Sequence, residues 1–255
     1  MSVQLDEATD RLRQMLLDGG FTPGKKLREI SVAESLGVSR TIARLAMSAL
    51  EHEGLLTREL NRGSRTRAFD VEEIIDAIEV RGELEAMAAR LAAERGLPPE
   101  TLDQLQQSIT EAEELLAAGI ETEESRTAWV DMNTRFHETL VLASGNRSIE
   151  VAIRQMMALP LVAPASIIFD RTNPALGHMQ LLSSHHDHVA ILDAITARQG
   201  HRAEALVREH AFRSAQNKRQ NLSDPAAFNR ARSLPGGKLI VADDPTSAKK
   251  PRRGA

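Results

Sequence analysis

Residues 28–56 read REISVAESLGVSRTIARLAMSALEHEGLL, and this stretch decides the fold of the N-terminal part of the chain. The segment ISVAESLG predicts a short helix that ends at Gly37, and Ser39 is well placed to cap a second helix that runs to about Glu53. Two short helices joined by a tight glycine turn are typical of a helix-turn-helix unit, whose second helix can enter the major groove of DNA. The stretch therefore predicts the centre of a DNA-binding domain.

The residues on either side complete a winged domain. Residues 5–20 predict an amphipathic helix, and residues 55–69 predict two short strands around the turn NRGS. Arginine side chains can bind phosphates or guanine edges, and threonine can bind phosphate or contact a thymine methyl group. Such side chains in the second helix and the wing are Arg40, Thr41, Arg44, Arg62, Arg65 and Arg67. The alternative is a small helical domain with a solvated basic face.

Composition and charge set further limits. The chain has 255 residues, no cysteine, no tyrosine and 3% aromatic residues, which favours helices and excludes disulfides and thiolate metal ligands. Residues 21–69 carry nine Lys or Arg against five Asp or Glu, whereas the whole chain has a net charge of −4, so a basic segment precedes an acidic body. No apolar run is long enough for a membrane span and no signal-peptide core is present, so we expect a cytoplasmic protein.

Residues 5–69 resemble the winged-helix domain of the GntR superfamily of bacterial transcription regulators. The family commonly has SRTPVREAL where residues 39–47 of this chain read SRTIARLAM. The resemblance implies contacts with DNA at positions that this chain fills with Ser39, Arg40, Thr41, Arg44 and Gly63. It also implies a contact with the DNA backbone at Arg28. This chain lacks the Pro and the Glu of the family motif. Their loss leaves the matches above intact, but we expect it to alter the operator sequence that the protein recognises.

The rest of the chain predicts helices almost without interruption. The helical patterns cover about residues 71–96, 98–119, 123–144, 146–158, 177–198 and 202–220. Short connections between them favour an antiparallel bundle. The segments EVRGELEAMAARLAAER, NTRFHETLVLASGN and DHVAILDAI resemble the ligand-binding FCD-type domain of the FadR subgroup.

We therefore expect a mostly α protein with three parts. Residues 1–69 form a winged helix-turn-helix domain, and residues 70–222 form an antiparallel helical-bundle domain for effector binding and dimerisation. Residues 223–255 contain Pro, Gly, Ser and scattered charge with one short apolar strip, which predicts disorder.

Residues 183–192 read SSHHDHVAIL, and helical geometry divides this cluster of three histidines. At about 100° per residue, His185 and His188 fall in the middle of the apolar face of their helix. His186 falls at the edge of that face, and Asp187 falls on the opposite side. The three neighbouring histidines therefore do not form one site.

The same geometry turns His137 and His210 inward on two other helices, with Asn133 one turn before His137. Three imidazoles and an amide oxygen from three helices can converge, and this set suits a borderline divalent ion such as Zn²⁺ or Ni²⁺. The alternative is that each histidine is hydrogen-bonded in the core without metal. The resemblance favours the metal, because many proteins of the subgroup bind one through Asp/Asn-x-x-x-His and two later histidines. Asn133, His137, His188 and His210 match those positions.

Two further residues are candidates for contacts with an effector. Arg81 lies on the apolar face of its helix, where it forms either an ion pair with Glu85 one turn later, which we favour, or a clamp for an effector carboxylate. His185, one turn before His188, is expected to line the effector pocket and not to bind the metal.

These features predict a homodimeric, ligand-responsive transcription regulator, which in this family is most often a repressor. Two winged domains read the half-sites of a near-palindromic double-stranded DNA operator. The expected effector is a small carboxylate, because a divalent metal and Arg81 both attract one. The alternative is a metal sensor in which the ion itself is the signal. We do not expect an enzyme, since no Glu stands at the HExxH spacing of a metal hydrolase.

Overall fold

The computed structural model describes residues 3–59, 63–169 and 173–241, which fall into two compact units. Of these described residues, the first unit contains those from 3 to 74 and from 232 to 241, and the second contains those from 75 to 231. The first unit is built from α1 (Val3–Leu17), β1 (Lys26–Leu27), α2 (Glu29–Leu36), α3 (Arg40–His52), β2 (Leu56–Glu59) and β3 (Gly63–Thr66). The strands pair antiparallel in the order β1-β3-β2, which confirms the predicted winged helix-turn-helix.

Local signals in the sequence explain the helix-turn-helix. Gly37 adopts the left-handed conformation, with φ of 67°, and its N–H donates to the carbonyls of Ala33 and Glu34 at the end of α2. The Ser39 hydroxyl accepts the N–H of Ile42 at 3.3 Å and caps α3. The apolar faces of α1, α2 and α3 are buried together through Leu12, Leu16, Val32, Leu36, Ala43 and Leu50.

Residues 232–241 pack on the first unit, which corrects the expectation of disorder from residue 223. Ile240 forms a parallel β-bridge with Phe69, and the N–H of Gly236 donates to the carbonyl of Leu17 at 2.9 Å. A 3-10 turn at Gly237–Leu239 buries the Leu239 side chain completely. Burial of this short apolar strip offsets the entropy lost when the segment becomes ordered. The basic sequence KKPRR near the C-terminus lies outside the described residues.

The second unit is an all-helical bundle, as predicted. Its helices are α4 (Val71–Arg95), α5 (Pro99–Ala118), α6 (Glu123–Ala143), α7 (Arg147–Met157), α8 (Pro174–Thr196), α9 (Gly200–Ser223) and α10 (Pro225–Ala231). Helix α4 begins with the last four residues of the first unit. None of the helices in the described parts of the chain is both long and apolar enough to cross a membrane.

Small residues on α4 allow close helix packing around the bundle core. Ala86, Ala89 and Ala93 are completely buried against α5, α6, α8 and α9. At Gly82, an added Cβ would overlap the Cβ of Ala211 on α9. The close approach of α4 and α9 places the residues that follow Gly82 next to the central part of α9.

Candidate metal centre and nucleic-acid interface

The start of α3 presents the side chains that the sequence predicts for DNA recognition. Arg40, Thr41 and Arg44 are exposed in the first turn and a half after the Ser39 cap. The side chain of Arg40 is 69% exposed, and its only ion pair in the described parts of the chain is a 3.9 Å contact with Glu29. These side chains are therefore available to a partner.

The remaining predicted DNA contacts lie around the sheet. Arg28 is exposed and is the N-cap residue directly before α2, one position outside the helix. Gly63 begins β3 in the left-handed region, with φ of 86°, which a residue with a side chain rarely adopts. Arg62 lies outside the described residues. The wing arginines Arg65 and Arg67 form ion pairs with carboxylates of the same unit, each at 2.5 Å.

Three histidines from three helices of the second unit converge. His137 on α6, His188 on α8 and His210 on α9 each offer a ring nitrogen, and these three nitrogens lie within 4.8 Å of one another. All three side chains are buried. Two nitrogens on one tetrahedral Zn²⁺ ion are about 3.3 Å apart, so small side-chain rotations would suffice for a shared ion.

His188 is the member of this triad that most needs a partner. Neither of its ring nitrogens, both buried, forms a hydrogen bond within the described parts of the chain. Burial lowers the pKa of His188 well below its usual value, and His210 and His137 lower it further. The ring stacks on Phe136 with a centroid distance of 4.1 Å. A buried neutral imidazole, which has a free lone pair on one ring nitrogen, is the form that binds a divalent metal, so the triad fits such an ion.

Carboxylates orient the other two histidines. Glu85 Oε2 lies 3.1 Å from Nδ1 of His137, and Asp187 Oδ2 lies 3.1 Å from Nδ1 of His210. An Nδ1–H that donates to a carboxylate leaves Nε2 free for a metal. Burial acts to raise the pKa of Glu85, but the charges of Arg81 and His137 lower it to about 2. Burial also acts to raise the pKa of Asp187, but hydrogen bonds from His210 and Arg213 lower it. Both carboxylates are therefore anionic partners of the triad.

The predicted direction of Asp187 is wrong. Its side chain is only 15% exposed, and it contacts both His210 and Arg213 on the neighbouring helix α9. The helical wheel assigns Asp187 to the outer face of α8, but α9 packs beside that face and supplies two partners. The sequence does contain one indication of this contact: His210 and Arg213 are three residues apart on α9, so both can face a carboxylate on a neighbouring helix.

Asn133 lies one turn before His137 on α6 and is 6% exposed. Its Nδ2 donates to the carbonyl of Pro164 at 3.2 Å. This hydrogen bond uses the amide nitrogen, and the atom of the side chain that can bind a cation is Oδ1. Asn133, His137 and His210 all line one cavity, whose volume of about 740 Å³ is ample for a small molecule.

Arg81 also lines this cavity, and its ion pair with Glu85 is present. Arg81 Nε lies 3.3 Å from Glu85 Oε1 without hydrogen-bond geometry, and its Nη1 donates to the carbonyl of Val162. The pair that we favour and the position in the cavity wall therefore occur together. Each of the two interpretations of Arg81 captures part of the geometry.

His185 does not line the cavity, in contrast to the prediction. It is buried, and its Nε2 lies 3.7 Å from Glu113 Oε1 on α5. The apolar face of α8 is broad enough to contact two neighbours, so a residue one turn from His188 faces a different helix. His186 is exposed, as predicted.

Lys218 is a cavity residue that the helical pattern does not single out. It lies eight residues after His210 on α9, is 9% exposed, and its Nζ donates to the carbonyl of Ser166. Burial, together with the charge of Arg81, lowers the pKa of Lys218 to about 7. A lysine within a polar run such as RSAQNKRQN reads as a solvated side chain.

Comparisons with known proteins account for both units. Residues 4–65 match the model of bacterial regulatory proteins of the gntR family, and residues 76–213 match the FCD domain. The chain belongs to the GntR family. Within this GntR regulator, the FCD match contains the histidine triad and Asn133, and the gntR match contains α1 to β3 up to Arg65.

Relatives of this GntR protein are transcription regulators. It is 31% identical to the regulator YdhC of Bacillus subtilis over 141 residues, which are 55% of this chain and 61% of YdhC. It is 27% identical to the transcriptional repressor GlaR of Escherichia coli over 199 residues, which are 78% of this chain and 88% of GlaR. Both are named as transcription regulators, and the chain spans only about three fifths of the length of YdhC.

Solved structures support the fold. The chain is similar to McbR/YncC of E. coli, with a TM-score of 0.61 and 20% identity over 88% of this chain and all of that one. It is also similar to a GntR regulator from Rhodococcus sp. RHA1, with a TM-score of 0.55 and 23% identity over 85% of this chain and 98% of that one. At these identities the likeness supports the fold alone.

Proposed function

We propose that this GntR protein is a repressor that binds a near-palindromic DNA operator as a homodimer. The observation that carries the DNA-binding role is the exposed group of Arg40, Thr41 and Arg44 at the capped start of α3. Side chains in this position of a helix-turn-helix can reach base edges and phosphates in the major groove. A twofold dimer would match a twofold operator.

A divalent ion, Zn²⁺ or Ni²⁺, would be held by His137, His188 and His210, with Asn133 as a candidate oxygen ligand. The ring nitrogens of His188, which lack a hydrogen-bond partner among the residues that the structure describes, support this assignment. When bound, the ion supplies a positive centre that attracts an anionic oxygen. Glu85 and Asp187 hold two of the imidazoles in the tautomer that leaves Nε2 available.

The effector would be a small organic acid in the 740 Å³ cavity. Basic side chains in the wall favour an anion, and the size of the cavity excludes a macromolecule. Effector binding then shifts the protein between states that differ in operator affinity, and the shift equals the difference in effector affinity between those states. Arg81 is a candidate effector contact, although its Nε faces Glu85 and its Nη1 donates to the carbonyl of Val162.

A metal sensor is the second candidate, and it is supported by the buried nitrogens of His188, which have no hydrogen-bond partner among the described residues. Operator binding measured while Zn²⁺ or Ni²⁺ is titrated without any organic acid separates the two. If the metal alone switches DNA affinity, the ion is the signal. If the metal-loaded protein binds DNA and a carboxylate then changes the affinity, the organic acid is the signal.

A further inference from the structure

The basic residues of the cavity wall differ in how their charges are compensated. In the part of the chain that the structure describes, the lining includes the basic side chains Arg81, Arg126, Arg213 and Lys218 and the carboxylates Glu121 and Asp187. Each arginine has a carboxylate partner: Arg81 pairs with Glu85, Arg126 with Glu123 and Arg213 with Asp187. Lys218 forms no ion pair with any described carboxylate.

Among the described basic residues Arg81, Arg126, Arg213 and Lys218 of the wall, Lys218 is therefore the one without a carboxylate partner. It has three N–H donors, and the hydrogen bond to the Ser166 carbonyl uses one. The low pKa of Lys218 has burial as its largest cause and the positive charge of Arg81 as its second. An anion next to Lys218 would relieve both effects, because it replaces lost hydration and screens a like charge.

Lys218 and His210, one member of the histidine triad, line the same cavity from one helix. His210 and Lys218 are eight residues apart on α9, which corresponds to about 12 Å along the helix axis. Between them, Ser214 and Asn217 also line the cavity. A lysine side chain extends several ångströms from its Cα, so one ligand of a few carbon atoms can reach both places.

We propose that Lys218 binds an acidic group of the effector, and that the effector therefore carries two acidic groups, one towards the histidine triad and one at Lys218. This inference rests on the proposed response to a small organic acid and specifies its chemical class. The second group is an oxyanion, either carboxylate or phosphonate-like. The inference also moves the main anion contact of the wall from Arg81, which Glu85 neutralises, to Lys218.

Calorimetric titration of the full-length, Zn²⁺-loaded protein tests this. The probes are straight-chain monocarboxylates of four to six carbons, the dicarboxylates of the same length, and the acids in which a phosphonate replaces the second carboxylate. We expect the unsubstituted protein to bind at least one diacid series about tenfold or more tightly than the matched monoacids, since a charge-assisted hydrogen bond supplies that much. The series that binds identifies the second group.

Lys218→Met removes the charge and keeps the length of the side chain. We expect it to bind the diacid no more tightly than the monoacid. Arg202→Met, an exposed site on the same helix outside the cavity, should retain the difference. Equal affinity for monoacids and diacids in the unsubstituted protein, or a difference that survives in Lys218→Met, overturns the inference alone. Absence of binding in every series overturns the organic-acid proposal as well.

Discussion

Glu85 Oε2 lies 3.1 Å from Nδ1 of His137, and both side chains are almost completely buried. The other carboxylate oxygen faces Arg81 at 3.3 Å. One residue of α4 thus joins a histidine of the candidate metal centre to an arginine of the effector cavity. Substitutions at this residue are expected to affect both.

Glu85→Gln should weaken metal affinity about 10–100-fold, because the amide is a poorer acceptor for the Nδ1–H of His137 and no longer fixes its tautomer as firmly. Metal affinity is measured by competition with a chromophoric chelator. Glu83→Gln is the matched control, since Glu83 is two residues away on the same helix and 61% exposed. Equal metal affinities for the two variants would contradict the role assigned to Glu85.

His188→Leu should abolish the stabilisation that Zn²⁺ gives to the protein, while the metal-free variant remains at least as stable as the metal-free parent. Leucine removes two buried nitrogens that have no hydrogen-bond partner in the described residues, and such groups cost about 1–3 kcal/mol. The measurement is Tm with Zn²⁺ and with chelator, because an ion that binds only the folded state raises Tm. An unchanged Zn²⁺ effect in the variant would show that the triad is not the binding site.

Arg44→Ala should weaken operator binding by about 1–3 kcal/mol and leave metal content unchanged. Arg44 is exposed on α3, and its loss removes a contact with a base edge or a phosphate. Fluorescence anisotropy at several salt concentrations distinguishes a base contact from a phosphate contact, since loss of a phosphate contact also reduces the salt dependence of the DNA affinity. Arg202→Ala serves as the control for loss of one surface charge. Loss of both operator binding and metal content in Arg44→Ala would instead indicate a misfolded variant.

Leu239→Ala should destabilise the first unit by about 2–5 kcal/mol, because Leu239 is completely buried there. Val241→Ala, two residues later at a site that is 40% exposed, should have a much smaller effect. Unfolding is followed by far-UV circular dichroism and by the fluorescence of Trp129, the single tryptophan, which lies in the second unit. A circular dichroism transition that does not move in Leu239→Ala would contradict the packing of residues 232–241.

Helical periodicity predicts most of the candidate site. The inward directions of His137, His188 and His210 follow from counting 100° per residue against neighbouring apolar residues, and all three are buried. The cap at Ser39 and the end of α2 at Gly37 also follow from local chemistry. Each of these features depends on a single helix or turn, so the sequence of that one segment is enough to predict it.

The features that periodicity does not predict depend on which elements become neighbours. Asp187 is on the outer side of α8 until α9 packs against it, and His185 is inward-facing but contacts α5. Lys218 becomes a cavity residue only because the segment around Ser166 lies beside it. The apolar strip around Leu239 is too short to predict an element, and its burial depends on a surface formed by α1 and Phe69.

Operator selection measures the central claim most directly. Purified, Zn²⁺-loaded full-length protein is used to select fragments from genomic DNA, and the affinity for the selected fragment is then measured at physiological salt with and without small organic acids. We predict a selected site with two related half-sites and an affinity that changes about fivefold or more when an acid binds. Binding without any sequence selection would contradict the account.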